Sequence, residues 1–405
     1  MSSFLFINQY YWPDEAATAQ LLSNLAEDLI TAGHQVTVLC GRSRYSCAEE
    51  VKSGVSRHHG VQIERVGGSD LGRYRWEGRI TDILSFMWGA GCRLRHIATP
   101  DAVIAMTSPP LVGRLGARYH RKRRVPLVLW AQDIYPEVAE RLGILKSPIL
   151  CRWSHAISRR IYRESARVIV PGRDMQAYLE TCREAAGKVC TIPNWVDLEQ
   201  VRCGPVQGNS FRKEYGWEKD RILMYSGNLG AAHEMETILP LVSVLEAEVP
   251  SLHFVLVGDT PRHKAFAEKA KNMRIHRMTC LPFQPLEKLG DLLGAADAHL
   301  VSQKPEVDGL LVPSKFYGAV AAGRPIIFIG SRTAEVGRHV MDSQLGVVIA
   351  PGQASVGVRA AKKVLLMTQD ENWVVAYIRD WAQANASRAV RTRQFQALLE
   401  EVVAC

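Results

Sequence analysis

The chain has no run of about 20 apolar residues, the length a membrane-spanning helix needs; apolar stretches such as Pro325-Ile326-Ile327-Phe328-Ile329-Gly330 are strand-sized. Its opening residues, Met1 to Asn8, carry no basic segment, and their short apolar run turns polar too early for a secretory leader. The chain is therefore expected to stay in the cytoplasm. No Cys-x-x-Cys pair occurs among the nine cysteines, at positions 40, 47, 92, 151, 182, 190, 203, 280 and 405, which excludes zinc-type or dithiol spacing and points to reduced thiols. No Asp-x-Asp occurs either, so the closely spaced carboxylates that usually hold a divalent ion are missing, and no metal or cofactor is expected. Residues 8–18, after the first apolar run, contain no glycine, which excludes the Gly-x-Gly-x-x-Gly turn of a nicotinamide dehydrogenase.

What is present describes a folded α/β protein. With 405 residues, 47% apolar and 22% charged, the chain exceeds what one core usually organises, and two domains are expected. The net charge of +9 is concentrated between Arg114 and Arg124, in particular Arg118-Tyr119-His120-Arg121-Lys122-Arg123-Arg124. Such a run is either a solvated face before a buried strand or a contact for an anionic partner, nucleic acid or an anionic lipid leaflet.

Apolar periodicity gives the order of elements. Phe4–Ile7 reads as a strand, a helix follows with Leu21, Leu22, Leu25, Leu29 and Ile30 on one side, Gly33 ends it, and Gln35–Leu39 is a second strand. Ala102–Met106, Pro126–Trp130 and Val168–Pro171 are further buried parallel strands. The pattern then restarts with Ile222–Tyr225, Phe254–Val257, Ala298–Val301, Ile326–Ile329 and Val347–Ile349, a second doubly wound sheet. A polar stretch from Asp197 to Asp220 reads as the linker, and Trp373–Val403 as a helical tail crossing back to the first half. The expected division is 1–200, 201–375 and 376–405.

Ligands of open α/β sheets bind at the carboxyl ends of strands. Two strand-to-helix loops of the second half carry residues suited to a diphosphate. In Tyr225-Ser-Gly-Asn-Leu-Gly-Ala-Ala-His233, Gly227 and Gly230 are expected to bring backbone amides close to a ligand at a helix N-terminus; the other reading is a structural turn that needs two glycines. In Asp308-Gly-Leu-Leu-Val-Pro-Ser-Lys315, Pro313-Ser314 reads as a helix start, with Ser314 Oγ and Lys315 converging on the anion. A lysine at a helix start opposes the dipole, so a bound anion explains it better than a surface role.

Further segments join these: Gly33-His34-Gln35-Val36-Thr37-Val38, Thr107-Ser108-Pro109-Pro110, Gln132-Asp133-Ile134-Tyr135-Pro136-Glu137, Ile192-Pro193-Asn194-Trp195-Val196-Asp197 and Gly323-Arg324-Pro325. Taken together, over nearly the whole length, they resemble family-4 glycosyltransferases of the bacterial branch that builds O-antigen, capsule and colanic-acid-type polysaccharides. That resemblance implies a GT-B fold, two doubly wound Rossmann-like domains facing a cleft. It also implies a nucleotide-sugar donor, a UDP-sugar foremost, on the C-terminal domain, an acceptor on the N-terminal domain, and retention of configuration. It places the donor on Gly227, Asn228, Gly230, His233, Phe283, Pro313, Ser314, Lys315, Tyr317 and Gly318, and the acceptor on Tyr11, Trp12, Asp14 and Glu15. Many family members carry a pair of glutamates, the first beside the reacting sugar and the second on the ribose. Here the second position is Gly318 and the substitute for the first is Asp308, with an insertion between, so the usual ribose clamp is missing from its expected place.

Without a metal, charge developing on the leaving diphosphate falls to helix N-termini and a cation, Lys315 first and Arg324 second. Asp133, Lys315 and Asp308 form the expected catalytic set. Asp133 either orients the acceptor hydroxyl and takes its proton or caps the next turn. Asp14 is either an acceptor contact or a helix cap, His233 a donor contact or a solvent-facing histidine, and Phe283 a base wall or a core residue. The resemblance further implies a polyprenyl-diphosphate-linked acceptor for lipopolysaccharide or exopolysaccharide, a hexosyl or N-acetylaminosugar transfer, and no nucleic-acid partner. The basic run with Phe86-Met87-Trp88 suits a peripheral contact with the cytoplasmic face of the inner membrane. Rival readings are a nucleotide-sugar 2-epimerase of the same fold and a non-enzymatic basic binding protein.

Overall fold

The structure, a computed structural model, describes residues 1–42, 52–68, 76–201, 204, 206–367 and 372–404. Cys47, Cys203, Cys405 and part of the expected linker lie outside the described residues; the cysteines within them are free thiols.

Among the described residues the strands form two sheets. The first contains β1 (Ser3–Ile7), β2 (Gln35–Gly41), β3 (Gly54–His58), β4 (Val61–Val66), β5 (Ala102–Ala105), β6 (Leu127–Trp130), β7 (Arg167–Val170) and β8 (Val189–Thr191). Its spatial order is β3-β4-β2-β1-β5-β6-β7-β8, parallel throughout except for β3 against β4. The second contains β9 (Arg221–Ser226), β10 (Leu252–Val257), β11 (Met278–Leu281), β12 (Ala298–Ser302), β13 (Ile326–Ile329) and β14 (Gly346–Ile349), all parallel in the order β11-β10-β9-β12-β13-β14. Strand order reverses between β1 and β5 and again between β9 and β12, and such switch points open a crevice at the carboxyl ends of the strands.

The central strands are buried on both faces, which is why they read as unbroken Val/Ile/Leu/Ala runs. The expected strands are present within a residue or two of their limits, whereas β3, β4, β8 and β11 were not expected. The edge strand β3 is almost wholly exposed and has no apolar run to reveal it. In β4 the charged pair Glu64-Arg65 interrupts the pattern although both are buried: Glu64 Oε2 meets Arg93 Nε at 2.7 Å, and Arg65 donates to the carbonyl of Trp12 at 2.7 Å. The helix Ala17–Thr31 buries Leu21, Leu22, Leu25 and Leu29, each removing apolar area worth about 1.5–3 kcal/mol. It stops at Gly33, whose φ of +88° suits glycine and lets the next amide, that of His34, reach the Leu29 carbonyl at 3.0 Å.

The chain divides into two compact units. Unit 1 holds the described residues of Met1–Pro193, Gly309–Leu311 and Arg391–Cys405; unit 2 holds those of Asn194–Asp308 and Val312–Val390. The tail is two helices, Asn372–Asn385 and Arg388–Ala404. Within unit 1, the second buries Phe395 against Trp130 at a ring separation of 4.7 Å and pairs Glu401 with Arg167 at 2.6 Å. No described helix is long and apolar enough to cross a membrane.

Candidate functional site

The switch point of unit 2 gathers the loops after β9, β10 and β12. Gly227 follows β9 with φ +109°, and the Lys315 stem lies against it: a Cβ at Gly227 would stand 3.1 Å from Lys315 Cε. Lys315 Nζ sits 3.0 Å from His233 Nε2 and 5.3 Å from the centre of the Tyr225 ring. His233 Nδ1 accepts the Gly230 amide at 2.7 Å. Lys315 keeps part of its surface open, yet desolvation around its amine lowers its pKa to about 7. Desolvation first, then the neighbouring Lys315, pushes His233 well below the ordinary histidine range. Lys315 forms no ion pair among the described residues.

Two expected features of this loop are corrected. The helix after it begins at Ile238, well past Gly230, so the glycines do not open a helix. Their amides are also already used, Gly227 donating to the Val257 carbonyl at 3.0 Å and Gly230 to His233. What Gly227 supplies is close approach for the lysine stem. Helix formation waits until Thr237 because Glu234, buried, accepts both the amide and the hydroxyl of Thr237 at 2.9 and 2.8 Å.

The second loop does lead into a helix, Lys315–Ala321, with Ser314 at its N-cap position, but the Ser314 side chain caps no amide. Pro313 and Tyr317 are buried, Tyr317 lying edge-on to Phe316 at 5.4 Å, so Tyr317 is a core residue rather than a ligand contact. Gly318 lies where the helix meets Leu293, whose Cδ1 would stand 3.2 Å from an added Cβ; its small size serves helix packing. Arg324, 1% exposed, gives its guanidinium to the carbonyls of Gly204 and Gly294 at 2.9 and 2.7 Å, which removes it as a phosphate cation. Asp308 is half-buried and accepts Gln303 Nε2 at 3.2 Å. Phe283, 40% exposed, is no core residue and stands edge-on to His263 at 6.4 Å. Asn228 offers its carbonyl to the Tyr225 hydroxyl at 3.5 Å.

Sequence reasoning missed His263 and Tyr225. His263 Nε2 meets the Gly227 carbonyl at 3.1 Å, and the ring lies so close over Gly258 that a Cβ there would stand 2.1 Å from Nε2. The signal was available in Gly258-Asp259-Thr260-Pro261, a strand end, a glycine and a helix start beside the recognised loop. Lys304 adds a further tie, its amide donating to the Ala232 carbonyl at 2.9 Å.

The switch point of unit 1 is built differently. Tyr11 is buried, and Asp14 accepts the Ala16 amide at 2.9 Å in a turn ahead of the helix Ala17–Thr31, whose N-cap residue is Ala16, so Asp14 does not cap it. Trp12 and Glu15 are exposed, and Trp12 stacks on His58 at 3.7 Å. Beyond β6, Thr107 Oγ1 accepts the amides of Gln132 and Asp133 at 3.0 and 3.3 Å. Asp133 bridges Leu311, and Ile134 donates to the Leu310 carbonyl at 2.9 Å, so the excursion Gly309–Leu311 braces this loop within unit 1. Asp133 caps no helix, since the next one, Glu137–Arg141, has Pro136 at its N-cap. Desolvation alone raises its pKa to about 6.

One described group, Glu27, His58 and His59, brings three possible metal-ligand atoms within 4.8 Å. The two imidazoles stack at 4.0 Å, so their in-plane lone pairs run side by side instead of converging, and the group contains none of the expected site residues. Among the basic residues, Arg114, Arg118, Arg121, Lys122, Arg123 and Arg124 are exposed, with Arg121 paired to Glu164 at 3.2 Å. Phe86 is core, only 2% exposed, which corrects its expected surface role; the open apolar stripe of the helix Trp76–Arg93 is Ile80, Leu84 and Trp88, at successive i, i+4 positions.

Comparison with known proteins agrees with this organisation. Residues 18–200 match the family model described as Glycosyltransferase Family 4, a stretch that covers most of unit 1 and does not reach the Gly227 or Lys315 loops. The chain is similar to the probable glycosyltransferase WbjE of Pseudomonas aeruginosa, 28% identical over 249 residues, 61% of this chain and 60% of that protein. It is also similar to the putative colanic acid biosynthesis glycosyl transferase WcaI of Escherichia coli (strain K12), 24% identical over 52% of this chain and 51% of that one. The matches thus span little more than half the length of these relatives. The crystal structure of Anabaena HepE in complex with UDP and glucose superposes over 99% of this chain and 100% of that one with a TM-score of 0.71, at 16% identity. The fold is GT-B.

Proposed function

We propose that this GT-B chain, similar to family-4 glycosyltransferases over residues 18–200, moves a sugar from a nucleotide-sugar, a UDP-sugar foremost, to a polyprenyl-diphosphate-linked acceptor during surface polysaccharide synthesis, with retention. The observation that carries this reading is Lys315, a largely desolvated amine without a carboxylate partner among the described residues, laid over Gly227 at the switch point of the second sheet. An amine kept from water there lacks a counter-charge, and a diphosphate supplies one. As the bond to the anomeric carbon breaks, negative charge grows on the leaving oxygens, and a fixed cation in a dry site stabilises it more than solvent would. Lys315 takes that part without a divalent ion.

On the acceptor side, Asp133 has the chemistry of a base. A carboxyl with a pKa near 6 is ionised at neutral pH yet keeps enough basicity to share the proton of an attacking hydroxyl. Attack from the leaving-group face retains configuration and leaves the diphosphate to accept that proton in the end. Asp308, Phe283 and the exposed Trp12 and Glu15 complete the substrate contacts. The exposed arginines of the helix Gly113–Arg123, with Ile80, Leu84 and Trp88, suit peripheral binding to an anionic inner leaflet, where a lipid-linked acceptor resides. The resemblance to WbjE and WcaI and the UDP and glucose of HepE support the donor class and the pathway.

The test is transfer itself. Purified protein is incubated with UDP-, GDP-, dTDP- or ADP-sugars and lipid extract, with EDTA present, and labelled sugar is followed into the lipid fraction. Transfer that survives EDTA and fails in Lys315→Ala supports the proposal. A donor sugar epimerised without any acceptor would replace it with the epimerase reading.

A further inference from the structure

The contacts of His233 constrain where protons reside around Lys315 in the ligand-free protein. A neutral imidazole carries one N–H and one lone pair. The lone pair of Nδ1 is already used, because the Gly230 amide, which can only donate, points at it from 2.7 Å. The single N–H therefore lies on Nε2, 3.0 Å from Lys315 Nζ. An ammonium has no lone pair to receive it. An ammonium facing an Nε2–H would set two hydrogens against each other, and moving the imidazole proton to Nδ1 would create the same clash with the Gly230 amide. A neutral amine on Lys315 gives both imidazole nitrogens a matching partner.

We infer that the ligand-free protein stores Lys315 as a neutral amine accepting from His233 Nε2–H, and that binding of a nucleoside diphosphate-sugar takes up one proton as the amine becomes an ammonium on the diphosphate. This rests on the donor site proposed above. The rest of the surroundings agree. Lys315 has no ion pair among the described residues, and the Tyr225 hydroxyl, whose burial pushes its pKa up, stays neutral. The charged and titratable groups around the pair are Arg262, donating to the Leu229 carbonyl at 3.2 Å, and His263, which desolvation keeps below the ordinary range, with Asp259 near it. Arg262 adds positive potential at His233 and so disfavours an imidazolium. Once the ligand takes the ammonium, His233 Nε2–H is free to donate to a phosphate oxygen. His233 is thereby a positioning residue that holds the amine over Gly227 and hands it on charged.

The linkage has a definite sign. A ligand that binds the protonated amine holds it best below the amine's own pKa. Affinity is flat at acidic pH and falls about tenfold per pH unit above about 7. UDP-glucose is the probe, because its pyrophosphate diester does not itself titrate in this range.

Two measurements on the full chain decide it. Lysine-selective 13C NMR of the free protein is expected to show one Cε signal titrating near neutrality, absent in Lys315→Met and moved up in His233→Ala or His233→Gln. Wild-type protein with every lysine titrating in the ordinary range near 10 overturns the pairing. Calorimetry with UDP-glucose in buffers of different ionisation enthalpy is expected to show uptake of about 0.9 proton at pH 8 and about 0.1 at pH 6. Binding with no proton uptake at pH 8 overturns the linkage. Absence of binding overturns it together with the donor reading, while the NMR midpoint, which needs no ligand, still reports whether the amine is stored neutral.

Discussion

The two switch points solve opposite electrostatic problems. In unit 2 a basic group is kept from water with no ion pair among the described residues; in unit 1 an acidic group is kept from water, and its shift comes from desolvation alone. Lys315 is lowered to about 7 and Asp133 raised to about 6, each by desolvation first. Both shifts favour neutrality in the ligand-free protein and charge once a partner arrives. The surroundings differ as well. Lys315 is fixed by Gly227, His233 and Tyr225, whereas in unit 1 Trp12 and Glu15, which the proposal gives to the acceptor, are exposed. On the proposed assignment, a donor site that meets the same diphosphate each time gains from a rigid charge, while an acceptor surface bearing the exposed Trp12 fits ring faces through contact area.

The largest effect expected from breaking this contrast is at Lys315. Lys315→Ala should lower kcat/KM by about 10²–10³-fold, the cost of removing one preorganised group that stabilises leaving-group charge. Lys315→Arg should restore little, because the planar guanidinium does not fit the compact seat over Gly227. Asp133→Asn comes next, with a loss of about 10²-fold in kcat and little change in donor KM. In the wild type, kcat/KM should follow a narrow bell, rising through pH 6 as Asp133 ionises and falling above pH 7 as free Lys315 loses its proton. The acid limb should vanish in Asp133→Asn, and a limb that stays at pH 6 would assign it elsewhere.

Gly227→Ala should weaken donor binding about tenfold and cost roughly 1–2 kcal/mol of stability, since the methyl meets Lys315 Cε at 3.1 Å and φ of +109° strains any L residue. Denaturant midpoints and calorimetry separate the two parts. Replacing Arg118 and Lys122 by glutamate should reduce binding to anionic liposomes at low salt, each basic residue contributing about 1 kcal/mol, and leave soluble donor binding unchanged. Liposome binding indifferent to both charge and salt would remove the electrostatic contact.

Stability gives the smallest signal, of opposite sign at the two sites. The Asp133 carboxyl has a raised folded pKa, so the folded state holds more protons than the unfolded one between pH 4 and 6, and this group's contribution declines as pH rises through that window. The Lys315 amine has a lowered folded pKa, so its contribution rises from about pH 7 toward 10.5. Asp133→Asn should therefore raise Tm above pH 6, and Lys315→Met below pH 9, by a degree or two each. A fall in Tm for both would mean that each group is stabilised by its surroundings, contrary to the contrast between the sites.

Much of the fold was legible because buried parallel strands have no polar alternation to hide them. Val/Ile/Leu runs such as Ile326–Ile329 marked the core of both sheets, while exposed β3 and the charged pair in β4 erased the same signal at one edge. The loops were legible as places but not as geometry. Gly227 was found for the wrong reason: a glycine that admits a backbone to a phosphate and one that admits a lysine stem look alike in sequence. Lys315 stood out because the helix dipole disfavours it there, a local rule whose breach singled it out as a candidate. His263 escaped because its ring acts from the first turn of the helix Pro261–Asn272, on a carbonyl distant in sequence. The return of Gly309–Leu311 to unit 1 left no compositional trace.

The account stands on Lys315 holding the donor diphosphate without a divalent ion. The direct measurement is calorimetric binding, in EDTA, of whichever nucleotide-sugar gives the largest thermal shift, to wild-type protein and to Lys315→Met at pH 7. Micromolar or tighter binding by wild type with at least a roughly thirtyfold loss in the variant, about 2 kcal/mol, is the predicted result. Equal affinities for the two proteins, or wild-type binding that EDTA abolishes and magnesium restores, would contradict it.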